Sequence, residues 1–388
     1  VTTPDRERAV VAYADGVDTA CIAPTEVAAL ARLDRPELLL GWTPQDRAWL
    51  DDLGLRGATT MGGYCLSEAI RAGRIRYLPV RLSAVPTLLT STHPDVAVVT
   101  GVRRGAALAF GCSVGWGPAA ARAARSVVIE VDEQAEDLGG PVIEGAIDHV
   151  VSRAPGVAPA VPTPPRAPDD VDRAIGRAVA ALLPDDATIQ LGPGGIAEAI
   201  VAGIDRPVRV WSGLITEATA ELAGRGLLRG VATGGYVWGG KAIVELARAG
   251  RLRLAPVEET HDLTRVSAIE RFVACNTALQ VGLDGSVNVE RVGGRVVAGI
   301  GGHADFAAAG SRSRGGMSVV ALRSTRPRGG STIVPRVEVV STPRCDIDVV
   351  VTEHGVADLR GADDDERVER LVRVAAPEHR GGLLSAVA

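Results

Sequence analysis

Short runs of consecutive apolar residues recur along this chain, separated by longer stretches with helical periodicity. The runs are PELLLGW, DVAVVTG, RSVVIEV, ATIQLG, PVRVWSG, SVVALRS and CDIDVVVTE. A Val/Ile/Leu run without polar alternation fits a strand buried on both faces, and such strands belong to parallel sheets flanked by helices. Parallel neighbours need a crossover of a dozen or more residues, and the helical stretches supply it. The pattern predicts an α/β protein with open parallel sheets. At 388 residues there is chain for two or three such units. Hydrophobic residues make up 46% but aromatics only 3%, so the core has to be built from Ala, Val, Leu and Ile.

RAPGVAPAVPTPPRAPDD, residues 153–170, is dense in proline and reads as an extended linker. It predicts an N-terminal domain over 1–155, a linker over 156–170 and a C-terminal domain over 171–388. The helical pattern DDVDRAIGRAVAALLP opens the second domain, with Asp169 or Asp170 as N-cap. Two further stretches resemble each other: GGYCLSEAIRAGRIRYLPV from residue 62 and GGYVWGGKAIVELARAGRLRLAPV from residue 234. Each has GGY, a helical stretch, RAGR, an alternating strand and Pro-Val, which points to two related domains by duplication. The ligand site is expected in the cleft between them.

Net charge is −5, with no basic stripe of the kind that binds nucleic acid. Lys241 is the single lysine, so Schiff-base or P-loop lysine chemistry has nowhere else to reside. Five scattered cysteines form no CxxC, which argues against a zinc site or a disulfide framework and for a reducing compartment. No apolar run approaches a membrane span and no signal peptide opens the chain, so a cytoplasmic protein is expected, with no membrane partner and no bound metal.

Four stretches carry candidate chemistry. QLGPGGIAEAI places Gly192, Gly194 and Gly195 between a strand and a helix, where backbone N–H groups can meet an anion or carbonyl oxygen; a tight turn is the plain alternative. It matches neither Walker A nor GxGxxG. GIGGHADF sets Gly299, Gly301 and Gly302 before His303, a pattern suited to an oxyanion hole beside a histidine, or to a surface turn. VEETHDLTR holds His261 and reads, by itself, as a solvated loop. TEHGVADLRG puts Glu353 and His354 after a strand, with Glu353 free to cap or to pair with Arg360. No G-x-S-x-G elbow and no HExxH is present.

The linear order of QLGPGGIAEAI, WSGLITEATAELAGRGLL, CNTALQVGLDGSVNVERVGG, GIGGHADFAAAGSRSRGGMSVVALRST, STIVPRV and VVTEHGVADLRG resembles the acetyl-CoA hydrolase/transferase family, and nearly the whole chain takes part. The resemblance implies two tandem related open α/β domains of the CoA-transferase type. It implies an enzyme, a CoA-transferase or acyl-CoA hydrolase, with an acyl-CoA thioester as substrate, no permanently bound cofactor, and a homodimer. In the family a glutamate attacks the thioester and becomes acylated. The glycine loop, here Gly301 and Gly302, stabilises the oxyanion, and the Gly192–Gly195 turn lines the same cleft.

Aligned on that pattern, the nucleophilic position is Gly213. The family's positioning asparagine falls on His261, and its Gln or Ser after the glycine loop falls on His303. Glu217 takes over as nucleophile only if one helical turn is lost. The resemblance thus implies altered chemistry, with His261 and His303, ordinarily titrating near ~6.5, as acid/base groups on a thioester. The alternative is a non-catalytic acyl-CoA-binding protein that keeps the cleft and has lost turnover.

Overall fold

The apolar runs form strands. PELLLGW gives Glu37–Leu40, DVAVVTG gives Val96–Arg104, RSVVIEV gives Ser126–Val131, and ATIQLG gives Thr188–Leu191. SVVALRS contributes to Met317–Ala321 and CDIDVVVTE to Val349–Thr352. PVRVWSG runs further than its apolar residues indicate, as Arg209–Thr216, because Leu214 and Ile215 continue the extended backbone before Glu217 starts a helix. The computed structural model describes residues 8–52, 54–153, 167–327 and 329–386. Of the expected linker, residues 156–166 lie outside the described residues.

Contacts divide the chain into two units. The first holds the N-terminal part up to Pro162 together with Thr233–Thr260 and Val296–Gly301; the second holds Thr163–Ala232, His261–Arg295 and Gly302–Ala388. The units are therefore not continuous in sequence, where the proline-rich stretch alone predicts a single crossing.

In the first unit seven strands pair in the order Ile75–Tyr77, Gly57–Thr59, Glu37–Leu40, Val10–Tyr13, Val96–Arg104, Ser126–Val131 and Ile147–Ser152. All these neighbours are parallel, and Ala107–Phe110 adds antiparallel to Val96–Arg104. In the second unit Arg209–Thr216, Thr188–Leu191, Phe272–Asn276, Met317–Ala321 and Val349–Thr352 lie side by side and parallel. Gly355–Asp358 closes that edge antiparallel. Both units follow one plan: the chain lays strands on one side of its first strand, then crosses to the other side. The order reverses between Val10–Tyr13 and Val96–Arg104 in the first unit, and between Thr188–Leu191 and Phe272–Asn276 in the second. Ligands of open sheets bind at strand carboxyl ends where the order reverses.

The helix Asp170–Leu182 begins as its acidic start predicts, with Asp169 as the N-cap. The Asp169 carboxylate accepts from the backbone N–H groups of Val171 and Asp172, both at 3.1 Å, and Asp172 answers to the Asp169 N–H. The two RAGR copies share one helix ending. Gly73 at φ 69° and Gly250 at φ 68° take the left-handed conformation. Arg74 and Arg251 then donate back to Ala69 and Leu246 at 2.9 and 3.0 Å. The repeated letters encode a repeated C-terminal cap. Among the described residues no helix is long and apolar enough to cross a membrane.

Candidate active site

Gly213 lies inside Arg209–Thr216, not at its tip. A Cβ added there would come 3.0 Å from His261 Nε2 and 3.3 Å from Phe306 Cε2. The same imidazole crowds Gly302, where a Cβ would lie 2.6 Å from Nε2 and 2.7 Å from Cδ2. Phe306 closes the third side, its ring centroid 4.6 Å from that of His261. His261 therefore fills the space that side chains at Gly213 and Gly302 would need.

This corrects the solvated-loop reading of VEETHDLTR. The stretch forms two short helices, Val257–Thr260 and Leu263–Ser267, and His261 between them is 2% exposed. Asp262 caps the second helix by accepting from Arg265 N–H at 2.6 Å. Burial pulls the His261 imidazole from its ordinary 6.5 down to about 3.

GIGGHADF is no surface turn either. His303 is the first residue of the helix His303–Arg312, whose residues from His303 to Gly310 are all buried. Its Nδ1 lies 2.8 Å from Thr342 Oγ1, and Nε2 is buried with no hydrogen-bond partner. Desolvation lowers this imidazole to about 4. Both histidines are thus neutral at pH 7, and the expectation that they titrate near 6.5 is corrected by their burial. In the first unit, Gly301 accepts from Leu82 N–H at 2.9 Å through its carbonyl. A Cβ at Gly299 would come 2.7 Å from Met61 Sδ, so that position has no room for a side chain.

Glu217 is exposed at the first position of the helix Glu217–Gly224. Because the strand runs unbroken to Thr216, Glu217 lies about 13 Å along the chain from Gly213, at ~3.3 Å per residue. Glu353 is occupied as well: Ser324 donates to it through its backbone N–H at 2.9 Å and its hydroxyl at 2.6 Å. Arg360 pairs with Asp358 instead.

The Gly192–Gly195 turn stands at the reversal point of the second sheet. Gly194 has φ 119° and leads into the helix Gly195–Gly203. Sites for a Cβ on Gly192 and Gly194 face open space. Ser212, the neighbour of Gly213, donates to Leu191 O at 2.9 Å and ties this turn to the strand that carries Gly213. Beside it is a small cavity of about 20 Å³, lined by Gly192, Ile196, Ile200, Asn276 and Ala321 among others. Sequence reasoning missed Asn276, Thr342 and Phe306. Phe306 follows His303 by three residues, the spacing of one helix face, so that signal was available. Thr342 lies in an irregular segment 39 residues from His303 and left no signal.

Residues 13–184 match the acetyl-CoA hydrolase/transferase N-terminal domain and residues 242–387 its C-terminal domain. The 4-hydroxybutyrate coenzyme A transferase of Clostridium kluyveri is 29% identical over 349 residues, covering 83% of this chain and 80% of that protein. The butyryl-CoA:acetate CoA-transferase of Anaerostipes caccae is 30% identical over 342 residues, covering 81% of this chain and 77% of the relative. An acetyl-CoA hydrolase of Eremothecium gossypii is 29% identical over 412 residues, covering 87% and 76%. Among solved structures, RipA from Yersinia pestis superposes with a TM-score of 0.86 at 22% identity, covering 98% of this chain and 93% of its own. The 4-hydroxybutyrate CoA-transferase of Porphyromonas gingivalis gives 0.74 at 24%, covering 99% and 94%. Fold and sequence together define an α/β protein of CoA-transferase architecture. The chain belongs to the acetyl-CoA hydrolase/transferase family.

Proposed function

We propose that this chain acts on acyl-CoA thioesters without forming an enzyme-bound glutamyl intermediate. One observation carries the reading: where the family resemblance puts the nucleophile, Gly213 offers no side chain and the His261 imidazole occupies the room. Glu217 is exposed and distant along the strand. In this reading no carboxylate stands where the resemblance puts the attacker.

In this reading water is the nucleophile. The neutral His303 donates Nδ1–H to Thr342 Oγ1, which leaves the Nε2 lone pair to take a proton from water. The water oxygen bonds to the thioester carbon, the carbonyl oxygen becomes an oxyanion held by N–H groups of Gly301 and Gly302, and the C–S bond breaks. The proton on His303 passes to the departing thiolate, so carboxylic acid and free CoA are the products. A small alcohol in place of water makes the same steps an acyl transfer, with an ester and free CoA as the products. His261, packed between Gly213, Gly302 and Phe306, shapes the pocket. Thr342 is a positioning residue that fixes the tautomer of His303.

The low basicity of both imidazoles favours a second reading, an acyl-CoA-binding protein without turnover, since a base titrating at about 4 takes a proton weakly. Thiol release from acetyl-CoA, followed with a chromogenic disulfide, separates the two. Release is expected, falling about 10²-fold or more in His303→Ala, with no hydroxylamine-sensitive adduct on any carboxylate. A trapped acyl-glutamate overturns the proposal. Acetyl-CoA binding without thiol release selects the binding protein.

A further inference from the structure

The cavity at the reversal point of the second sheet is a built pocket with one polar contact left open. Its walls are apolar: Ile196, Ala197 and Ile200 from the helix Gly195–Gly203, Cys275 from the end of one strand and Ala321 from the next. Gly192 and Thr277 stand at its mouth, Thr277 exposed and Gly192 half-buried. Asn276 is 9% exposed and lines the same space. Its Oδ1 accepts from Gln190 Nε2 at 3.3 Å, yet its Nδ2 is buried with no partner, and Gln190 Oε1 is likewise left over. A buried amide donor without an acceptor costs about 1–3 kcal/mol. The helix N-terminus beside the cavity adds partial positive charge and further N–H groups.

We propose that this cavity is the acyl pocket and that it takes a short, uncharged alkanoyl group, acetyl or propionyl, with the acyl or carboxyl oxygen on Asn276 Nδ2. The proposal rests on reading the chain as an acyl-CoA protein and names the substrate class of that site. Size sets the chain length. A space of about 20 Å³ admits one or two water-sized groups, enough for a methyl or an ethyl but not for a longer alkyl chain. Charge sets the class. No charged side chain lines the cavity, so the second carboxylate of a diacid would be buried without a counter-ion. Position agrees, because the turn of Gly192 is held through Leu191 to Ser212, next to Gly213.

Two variants of opposite sense test it. Ile196→Ala enlarges the cavity and Ala197→Val fills it. Binding of sodium acetate, propionate, butyrate, hexanoate and succinate, and of acetyl-CoA and butyryl-CoA, is measured by ligand-observed NMR and calorimetry. The wild type is expected to bind the two- and three-carbon members of either series and to refuse hexanoate and succinate. Ile196→Ala should raise the butyryl-to-acetyl affinity ratio at least ~10-fold, as loss or gain of a methylene contact does in an apolar pocket, and Ala197→Val should abolish binding of both. An unchanged chain-length ranking in both variants, succinate binding as tight as acetate, or no binding of any probe overturns the inference. Thiol release from acetyl-CoA is read separately. If release occurs and the ranking does not move, only the pocket assignment falls. If the ranking moves without release, the pocket stands and the catalytic reading falls.

Discussion

At the residue scale, the exchange between positions 213 and 261 is a packing exchange before it is a chemical one. An imidazole sits where a longer side chain on the strand would have to go. Gly213→Glu is therefore expected to destabilise the protein, because its methylenes meet His261 and Phe306 in a filled interior, a cost of about 1–3 kcal/mol. His261→Asn removes most of a ring and on its own leaves a void. Combined, each change relieves the other, and a double-mutant cycle on urea midpoints should give a favourable coupling of about 0.5–3 kcal/mol. Additive single effects would show that His261 does not hold Gly213 in place. The sequence singles out positions 213, 261 and 303 but not the state of the groups there. Burial depends on Phe306 and Gly302, which lie far from His261 along the chain, and burial is what takes both imidazoles well below their ordinary value. The exposure of Glu217 was hidden for a different reason: Leu214 and Ile215 extend the strand past the glycine, and the position of a strand end is set by its neighbours.

At the element scale, the best-read features are those with a local cause. The buried parallel strands announced themselves as unbroken apolar runs, and the RAGR glycines as helix ends. Short strands such as Gly57–Thr59 and Val287–Asn288 escaped notice because two or three residues carry no period. Helix pairing was equally silent. Gly176 lies in the middle of Asp170–Leu182, where propensity alone makes Ala better by about 1 kcal/mol. Here a Cβ would run into the backbone carbonyl of Ala199 on the helix Gly195–Gly203. Gly176→Ala is thus expected to lower stability by about 1–3 kcal/mol, opposite to the propensity forecast, and because the neighbouring helix carries the cavity wall it should also weaken acetate binding. A urea midpoint at or above wild type would show that the helices part without cost.

At the scale of the whole molecule, two units of one topological plan treat their reversal points differently. In the second the carboxyl ends face a cavity and open glycines. In the first they are filled. Asp15 follows Val10–Tyr13, accepts from the Tyr236 hydroxyl at 3.1 and 2.9 Å, and packs with Trp116, itself fully buried. Burial raises the Asp15 carboxyl from 3.8 to about 7, against the lowering by Tyr236 and by backbone N–H groups. The groups that act on it are the Tyr236 hydroxyl and the backbone of Trp116 and Trp42, with Glu258 acting on Tyr236. A carboxyl whose folded value lies above its unfolded one binds its proton more tightly in the native state. Its contribution is full below about pH 4 and is lost as pH rises to about 7, at up to ~1.4 kcal/mol per pH unit. His261 and His303 act in the opposite sense, lowering stability on acidification below ~6.5, but they are common to wild type and variant and cancel in a difference. Asp15→Asn keeps an acceptor for Tyr236 and removes the buried charge. The variant should match wild type in unfolding free energy from urea titration near pH 4 and exceed it at pH 8 by more than about 1.4 kcal/mol, the difference growing between those values. An equal difference at both pH values would mean that Asp15 does not change its protonation across that range, and the filled reversal point of the first unit would then be held by packing alone.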